Sequence, residues 1–354
     1  MTTDSTRGSQ NTHAASLTDF DHIPQIDLAG MHGDDPAAKA RVAVALRRAC
    51  TEVGFFYIVN HGVAEDLIAK VFSQGRRLFD CPLGKKMEIH VKKSAHQLGY
   101  VADGDENANP QVGKADLHEA FDFAIEDMQV GSQFWAGDFR SVGNLWPDDL
   151  PGFRDTLSEY ALCVKRLARL LFHAFALALE LPEDYFDAIS DTPMALVRVL
   201  YYPSQPGPFD ETRMGNGAHT DHECFTILRQ DDNIQALQVR NRSGVWIDAP
   251  PIPGTYVVNI GDLMARWTNG AFASTYHRVA NLSGQPRYSI PCFVGPNADA
   301  LIEALPSCIS ADNPPKYPPV RAGEYISTLI YHNFYNNQEQ HPLKKAAEAI
   351  EQRP

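Results

Sequence analysis

The chain has 354 residues, 44% of them hydrophobic and 21% charged, which is ordinary for a globular protein with a sizeable core. Its 44 acidic residues outnumber 31 basic ones, for a net charge of −13, and this argues against nucleic acid or an anionic membrane as the main partner because phosphate surfaces attract clustered cations. The six cysteines form no C-x-x-C pair and no apolar run reaches the roughly 18 residues of a membrane span, so we expect free thiols and a cytoplasmic protein.

The first part of the chain is expected to be rich in helix. Residues 1–20 are polar and lack the apolar core of a signal peptide, so they predict a disordered leader. Residues 36–53 predict an amphipathic helix that ends at Gly54. Residues 97–124 contain several glycines and asparagines, which favours a lid or substrate loop.

The second part of the chain predicts a helix followed by many short strands. Residues 153–181 show helical apolar spacing, so one face of that helix must pack on a flat partner such as a sheet. The β-rich runs that follow are 195–202, 225–228, 236–240, 245–248, 255–260, 276–280 and 287–294. Short strands divided by turns, with helices outside, predict a mostly β fold with flanking helices and a double-stranded β-helix, or jelly-roll, core.

We expect one domain over residues 21–354. Within it, residues 21–190 form the helix-rich N-terminal part, 191–300 form the jelly-roll core with the metal site, and 301–354 form a C-terminal segment. That segment is expected to end in a short helix over residues 342–352.

His219, Asp221 and His277 form a candidate metal site. His219 and Asp221 are two residues apart, so on a strand they project to the same side, and His277 follows Asp221 after 55 intervening residues. Two histidines and one carboxylate are the ligands of mononuclear non-haem Fe(II) oxygenases, which keep positions open, whereas a structural zinc site takes four protein ligands. An isolated H-x-D pair is more often a turn or a strand-end hydrogen-bond pair.

A candidate carboxylate site follows after nine further residues. Arg287 and Ser289 again form an i, i+2 pair on one strand face. The planar guanidinium offers two parallel hydrogen bonds to a carboxylate, and the serine adds one more donor. The pair therefore suits an organic acid.

The motifs around these residues resemble those of the 2-oxoglutarate/Fe(II)-dependent dioxygenases of the isopenicillin N synthase-like superfamily. The matching residues are Asn259-Ile260-Gly261-Asp262, Thr268-Asn269-Gly270, Ser274, His277-Arg278-Val279, and, near the N-terminus, Gly54-Phe55-Phe56 and Asn60-His61-Gly62. The resemblance implies that His219, Asp221 and His277 hold Fe(II), and that Arg287 and Ser289 bind the 5-carboxylate of 2-oxoglutarate. It also implies the jelly-roll fold and a structural role for His61, while His222 alternates away from Asp221 and is not expected to be a ligand.

The resemblance further implies the reaction. Oxidative decarboxylation of the cosubstrate 2-oxoglutarate by O2 would be coupled to hydroxylation, desaturation or ring closure of a small molecule. Many relatives carry N-x-Y-P before the first iron ligand, with the Tyr near the 5-carboxylate and the Asn near the 1-carboxylate. Here Tyr202 is kept but Leu200 replaces the Asn. Either another donor such as Arg198 serves, or the cosubstrate binds differently.

The substrate is expected to be a largely apolar or aromatic small molecule. Aromatic and apolar residues near the motifs are the pocket candidates, although any one of them is more often a core residue: Tyr100, Phe121, Phe123, Phe225, Leu237, Phe293 and Phe334. The residues leave two alternatives open. One is an iron oxidase of the same fold that does not use 2-oxoglutarate, and the other is a non-catalytic protein that binds a small ligand.

Overall fold

The computed structural model describes residues 17–94, 97–106, 116–125, 143–204 and 213–330. The strands are β1 (Gln25–Asp27), β2 (Phe55–Val59), β3 (Gly99–Val101), β4 (Glu119–Ala124), β5 (Ala195–Tyr202), β6 (Asn216–His219), β7 (Phe225–Gln230), β8 (Leu237–Arg240), β9 (Trp246–Asp248), β10 (Tyr256–Ile260), β11 (His277–Val279), β12 (Arg287–Val294), β13 (Leu301–Ile302) and β14 (Val320–Arg321). The α-helices are α1 (Pro36–Glu52), α2 (Glu65–Phe79), α3 (Leu83–Lys86), α4 (Phe153–Ala178), α5 (Asp262–Trp267) and α6 (Ala322–Ile330). Short 3-10 helices lie at Leu28–Met31, Met87–Ile89, Val91–Lys93, Asp187–Ile189 and Pro306–Cys308.

Two sheets build the core. The larger has eight strands in the order β1-β2-β10-β7-β12-β5-β4-β3, and the smaller has four in the order β6-β11-β8-β9. A third sheet pairs β13 with β14. Side chains alternate between the two faces of each strand, so the large sheet presents one face to the helices and the other to the small sheet. This is the predicted jelly-roll core with helices outside.

The helix-facing side of the large sheet carries the main hydrophobic cluster. Along β12, Tyr288, Ile290, Cys292 and Val294 belong to this cluster together with apolar residues of α1, α2 and α4. Arg287, Ser289 and Phe293 alternate with them and therefore point to the opposite face. The candidate carboxylate-binding residues Arg287 and Ser289 thus lie between the two sheets.

A second cluster fills part of the space between the sheets. It contains Phe55, Leu228 and Val257 from the large sheet and Leu237 and Val239 from the small one. In the small sheet, β6 and β11 pair antiparallel with His219 opposite His277. The apolar cluster fixes the spacing of the two sheets, and with it the distance between the polar residues that face each other beside it.

Two predicted helices begin where the sequence placed them. Helix α1 starts at Pro36, and the side chain of Asp35 accepts a hydrogen bond from the Ala37 amide at 2.9 Å as its N-cap. Helix α4 starts at Phe153 and ends at Ala178. No helix among the described residues is long and apolar enough to cross a membrane.

The N-terminal part differs from the expectation of a mainly helical segment, because it also supplies β1, β2, β3 and β4 to the large sheet. Strand β4 pairs with β5 and lies within the stretch predicted as a loop. Strands β3 and β4 are only three and six residues long. Strand β4 pairs with β5, which lies far away in the sequence. The local sequence pattern therefore gives little signal for these two strands.

Two other expectations concern the termini. Residues 17–20 of the predicted leader contact the body of the protein: the Thr18 amide donates to the Glu52 carbonyl at 2.9 Å, and Phe20 is buried. Residues 1–16, the middle of the predicted lid at 107–115 and the predicted C-terminal helix at 342–352 lie outside the described residues.

Gly54 gives a test of the fold. Its φ is +76°, and a Cβ built there would lie 2.2 Å from the Ala273 carbonyl oxygen. We expect Gly54→Ala to lower the free energy of unfolding by about 2 kcal/mol or more, since a positive φ and a backbone clash add. Gly84→Ala is the control, because a Cβ at Gly84 meets nothing within 4 Å. Equal denaturation midpoints for the two variants would contradict the expectation.

Candidate active site

Three side chains from the small sheet and the turn after β6 converge between the sheets. The Nε2 atoms of His219 and His277 lie 3.5 and 3.6 Å from Asp221 Oδ1. One ligand atom from each residue lies within 4.8 Å of the others, and no other such group of metal-binding side chains occurs in the described ranges. The cross-strand pairing of His219 with His277 brings residues that are far apart in the sequence together.

Backbone carbonyls fix the orientation of both imidazoles. His219 Nδ1 lies 2.7 Å from the Gly217 oxygen, and His277 Nδ1 lies 3.2 Å from the Thr275 oxygen. A carbonyl oxygen only accepts hydrogen bonds, so each Nδ1 carries the proton and each Nε2 keeps its lone pair for a metal. Phe55 packs edge-on against His277, with ring centroids 5.1 Å apart. The donor set therefore fits a metal ion before one is bound.

Asp221 is held by the large sheet. Its Oδ2 accepts hydrogen bonds from the Thr226 hydroxyl on β7 and from Asn259 Nδ2 on β10, the latter at 2.7 Å. Its Oδ1 is the oxygen that faces both imidazoles. The carboxylate is thus oriented with one oxygen toward the protein and the other toward the candidate metal position.

The protonation states suit metal binding. Burial alone would raise the pKa of Asp221, but His277, His219 and Asn259 outweigh burial and hold this pKa well below its usual range. Burial lowers the pKa of His277 to about 4, so this imidazole is neutral near pH 7. Burial acts in the same direction on His219, but its contacts, chiefly with Asp221, together outweigh burial and raise its pKa. A metal that binds His219 Nε2 would therefore compete with a proton for that nitrogen.

Arg287 forms the centre of a second site, on the face of the large sheet that lies toward the small sheet. Its side chain is fully buried, and Nη2 donates to Gln230 Oε1 at 3.1 Å. Within the described part of the chain, Nε and Nη1 have no hydrogen-bond partner. A buried guanidinium with two unsatisfied nitrogens is costly unless an anion pairs with it. The arrangement therefore fits the carboxylate of an organic acid.

Ser289 and Tyr202 surround the guanidinium. Ser289 is buried two residues after Arg287 on the same strand face. Tyr202 lies opposite Arg287 across β5 and β12, with its ring centroid 5.0 Å from the guanidinium carbon. Burial raises the pKa of Tyr202, while the Arg287 charge and a hydrogen bond with Ser289 act against that rise. The three residues predicted to bind the cosubstrate are therefore brought together.

Arg198 does not take the place of the missing Asn. Its guanidinium forms two hydrogen bonds to Asp122, both at 2.7 Å, and two to Glu106 at 2.8 and 2.9 Å. Leu200 is buried against apolar neighbours. Arg198 is thus engaged by two carboxylates, so we withdraw it as the donor to the 1-carboxylate.

Four of the predicted pocket residues lie on the wrong face of the large sheet. Phe121, Phe123, Phe225 and Tyr100 all belong to the cluster under the helices. Phe225, for example, packs against Phe172 of α4 with ring centroids 5.0 Å apart. Because they point away from the triad, we withdraw these four as pocket candidates.

The remaining pocket candidates have different positions. Leu237 lies between the sheets in the apolar cluster with Leu228. Phe293 is partly exposed on the same face as Arg287 and stands opposite Thr226, whose hydroxyl binds Asp221. Phe334 lies outside the described residues. Phe293 is therefore the candidate with the best support from its placement.

Sequence reasoning missed Thr226 and Gln230, two polar residues that support the sites, and it recognised Asn259 as a motif residue without assigning it a role. Each is buried, and each contacts Asp221 or Arg287. The available signal was a polar residue on the inward-facing positions of an otherwise apolar strand, since a buried polar group needs a specific partner.

Comparison with known proteins identifies the family. One family model, "non-haem dioxygenase in morphine synthesis N-terminal", matches residues 23–149, and a second, "2OG-Fe(II) oxygenase superfamily", matches residues 193–296. The 2-oxoglutarate-Fe(II) type oxidoreductase hxnY of Emericella nidulans is 36% identical over 332 residues, which cover 92% of this chain and 94% of that protein. Homoarginine-6-hydroxylase 2-ODD-233 of Oryza sativa subsp. japonica is 37% identical, covering 90% and 99%.

Among solved structures, a full-length Neurospora crassa protein in complex with alpha-KG and thymine superposes with a TM-score of 0.75 at 30% identity, covering 90% of this chain and 98% of that one. The chain belongs to the 2-oxoglutarate/Fe(II) oxygenase superfamily. It is an Fe(II)/2-oxoglutarate-dependent dioxygenase that acts on a small molecule, as the sequence motifs predicted, and the relatives support neither the oxidase nor the non-catalytic alternative.

Proposed function

We propose that His219, Asp221 and His277 hold the Fe(II) of this enzyme. The observation that carries this assignment is the arrangement of the two Nε2 atoms around a single oxygen of Asp221, at 3.5 and 3.6 Å. The opposite edge of each imidazole is anchored on a backbone carbonyl. Three ligands leave coordination positions open, as a catalytic centre requires.

Arg287, Ser289 and Tyr202 bind the 5-carboxylate of 2-oxoglutarate in this proposal. The unsatisfied Nε and Nη1 atoms of the buried Arg287 support the assignment, because they need an anionic acceptor. Gln230 keeps the guanidinium in place through Nη2 and is itself anchored on the Ala249 carbonyl at 3.1 Å. The cosubstrate then lies between the sheets with its other end toward the triad.

The protein residues position the reactants and exclude water. Iron supplies activation of O2, and 2-oxoglutarate supplies two electrons as it loses CO2 and becomes succinate, with one oxygen atom entering succinate and the other entering a hydroxylated product. Thr226 and Asn259 hold Asp221 ionised and oriented, and the Gly217 and Thr275 carbonyls hold the proton of each ligand imidazole on Nδ1. Apolar residues such as Phe55 and Leu237 keep the neighbouring space dry.

The substrate proposed is a small molecule with an apolar or aromatic surface that packs on Phe293. This residue is partly exposed on the inward face of β12, beside Thr226. One relative is named for homoarginine and a solved structure contains thymine, two compounds that differ in charge and shape. The position of Phe293 therefore supports a substrate with an apolar surface but does not favour a particular compound. The net charge of −13 and the free cysteines among the described residues agree with a cytoplasmic enzyme whose partner is neither nucleic acid nor membrane.

Removal of either histidine tests the iron site. We expect His219→Ala and His277→Ala to weaken Fe(II) binding by more than the roughly 10–100-fold that is typical of changes outside the ligands, and to abolish turnover. Circular dichroism should show that the fold is kept, and iron content should be measured after anaerobic loading. His22→Ala is the control, since His22 is exposed and its ring pairs with the neighbouring Asp21. Full iron content in both ligand variants would refute the assignment.

Removal of the guanidinium tests the cosubstrate site. Arg287→Gln should raise the KM for 2-oxoglutarate by about 100-fold or more, because two charge-assisted hydrogen bonds are lost and each ~1.4 kcal/mol is tenfold. Iron content should not change. Arg76→Gln is the matched control, since Arg76 lies over the Tyr288 ring on the opposite face of the same strand. An unchanged KM for 2-oxoglutarate in Arg287→Gln would contradict the proposal.

Truncation of Phe293 tests the substrate surface. Phe293→Ala should reduce substrate-stimulated succinate formation across a panel of aromatic molecules that includes thymine, while the KM for 2-oxoglutarate stays the same, because only an apolar contact is removed. Phe123→Leu alters a buried phenyl ring on the helix-facing side and should leave substrate preference unchanged. Equal substrate profiles for wild type and Phe293→Ala would remove Phe293 from the site.

A further inference from the structure

Among the residues that the structure describes, the strand that carries His219 has a strand neighbour on one side only. Strand β6 is at the edge of the small sheet, whereas β11, which carries His277, lies between β6 and β8. An edge strand has backbone N–H and C=O groups without ladder partners on its outer side, so other parts of the chain can bind them. In the described part of the chain, β6 therefore has ladder hydrogen bonds to one strand, whereas β11 has them to two.

The segment Asp116–His118 supplies hydrogen bonds to this edge. Asp116 Oδ1 accepts from the Gly217 amide at 2.9 Å, and His118 Nδ1 donates to the Gly215 carbonyl at 2.8 Å. Between them, the Leu117 amide donates to the Met214 carbonyl at 2.8 Å. Two side chains and one amide therefore contact three residues of the chain that leads into His219.

One of these contacts involves the residue that also binds the imidazole of His219. The Gly217 residue whose amide is held by Asp116 also provides the carbonyl that accepts the Nδ1 proton of His219, at 2.7 Å. The position of Gly217 consequently sets the position and rotation of the imidazole. Asp116 and His118 are both buried, so their polar atoms are committed to these partners rather than to water.

An ionic chain anchors the segment to the large sheet. The second nitrogen of His118 lies 3.0 Å from Glu106, Glu106 binds Arg198, and Arg198 binds Asp122 on β4. Both nitrogens of His118 face oxygen atoms that only accept, so the imidazole is doubly protonated. In keeping with this, Glu106 raises the pKa of His118 against the opposing effect of burial.

The geometry points to Asp116 and His118 as positioning residues that clamp the edge strand β6 and thereby hold His219 in place for Fe(II). This inference rests on the proposed role of His219 as a ligand. It assigns the two residues no contact with substrate or cosubstrate. It also predicts an asymmetry, because the backbone of His277 has strand partners on both sides and needs no such clamp.

Fe(II) affinity measured by anaerobic titration against a competing chelator tests the clamp in the full chain. Asp116→Ala should weaken Fe(II) binding by about 10-fold or more, the range found for groups that orient metal ligands. Asp116→Asn keeps an oxygen acceptor for the Gly217 amide and should recover most of the affinity. The KM for 2-oxoglutarate at saturating iron should stay at the wild-type value in both variants.

Asn144→Ala separates positioning from general loss of stability. Asn144 binds both the amide and the carbonyl of Ala124, each at 2.9 Å, on a strand that carries no proposed iron ligand. This variant should lower Tm without changing Fe(II) affinity. The inference is overturned if Asp116→Ala binds iron as wild type does, or if Asn144→Ala weakens iron binding equally.

Two further variants keep the test decisive. If Asp116→Ala does not fold, Asp116→Ser, whose shorter side chain does not reach the Gly217 amide, replaces it with the same expected loss and the same overturning result. His219→Ala is titrated in parallel. Normal iron binding in His219→Ala would refute the ligand assignment, whereas weak binding there together with normal binding in the Asp116 variant would refute only the clamp.

Discussion

The buried carboxylate of Asp221 is the interaction on which the site depends. Asp221 receives hydrogen bonds from Thr226 and Asn259 on the large sheet, while its other oxygen faces His219 and His277 of the small sheet. It therefore joins the two sheets through polar contacts beside the apolar cluster that joins them through packing. An ionised group removed from water is stable only when every partner is in place. The relative position of the two sheets and the geometry of the site therefore depend on each other.

The residues proposed for the iron and cosubstrate sites could be predicted because their spacing is local or belongs to a motif. The pairs His219 with Asp221 and Arg287 with Ser289 each need only the two-residue period of a strand to share a face. The prediction of the pocket residues was wrong for a related reason. In β4 and β7 nearly every side chain is buried, so the sequence does not distinguish the face under the helices from the face between the sheets. Phe121 and Phe225 were therefore placed on the wrong side, whereas Phe293 shares its face with two polar residues.

Contacts made through the backbone could not be predicted from residue types. The turn at Gly261 illustrates this, because a Cβ there would lie 2.1 Å from the Glu223 carbonyl oxygen, so the chain segments that frame Asp221 pack backbone against backbone. Side-chain contacts between loops were missed as well: the hydroxyls of Ser274 and Thr220 both donate to Asp262, at 2.6 and 3.1 Å. Gly261, Asp262 and Ser274 occur in the family motifs, yet their function is to shape the loops around the ligands. A motif reports which positions matter, and the fold shows which of them lie within the His219, Asp221 and His277 group.

The proposed iron site and the proposed cosubstrate site have charges that their two ligands, Fe(II) and 2-oxoglutarate, would neutralise together. Asp221 contributes one negative charge and Arg287 one positive charge, and both side chains are buried. Iron(II) alone would leave that region with an excess of two positive charges, and 2-oxoglutarate alone would leave it with an excess of two negative charges. Together they make it neutral. Because uncompensated charge is expensive at low dielectric, each ligand favours binding of the other even though Arg287 and Asp221 do not touch. The unsatisfied nitrogens of Arg287 and the ionised carboxylate of Asp221 are thus coupled electrostatically through the ligands that they would bind.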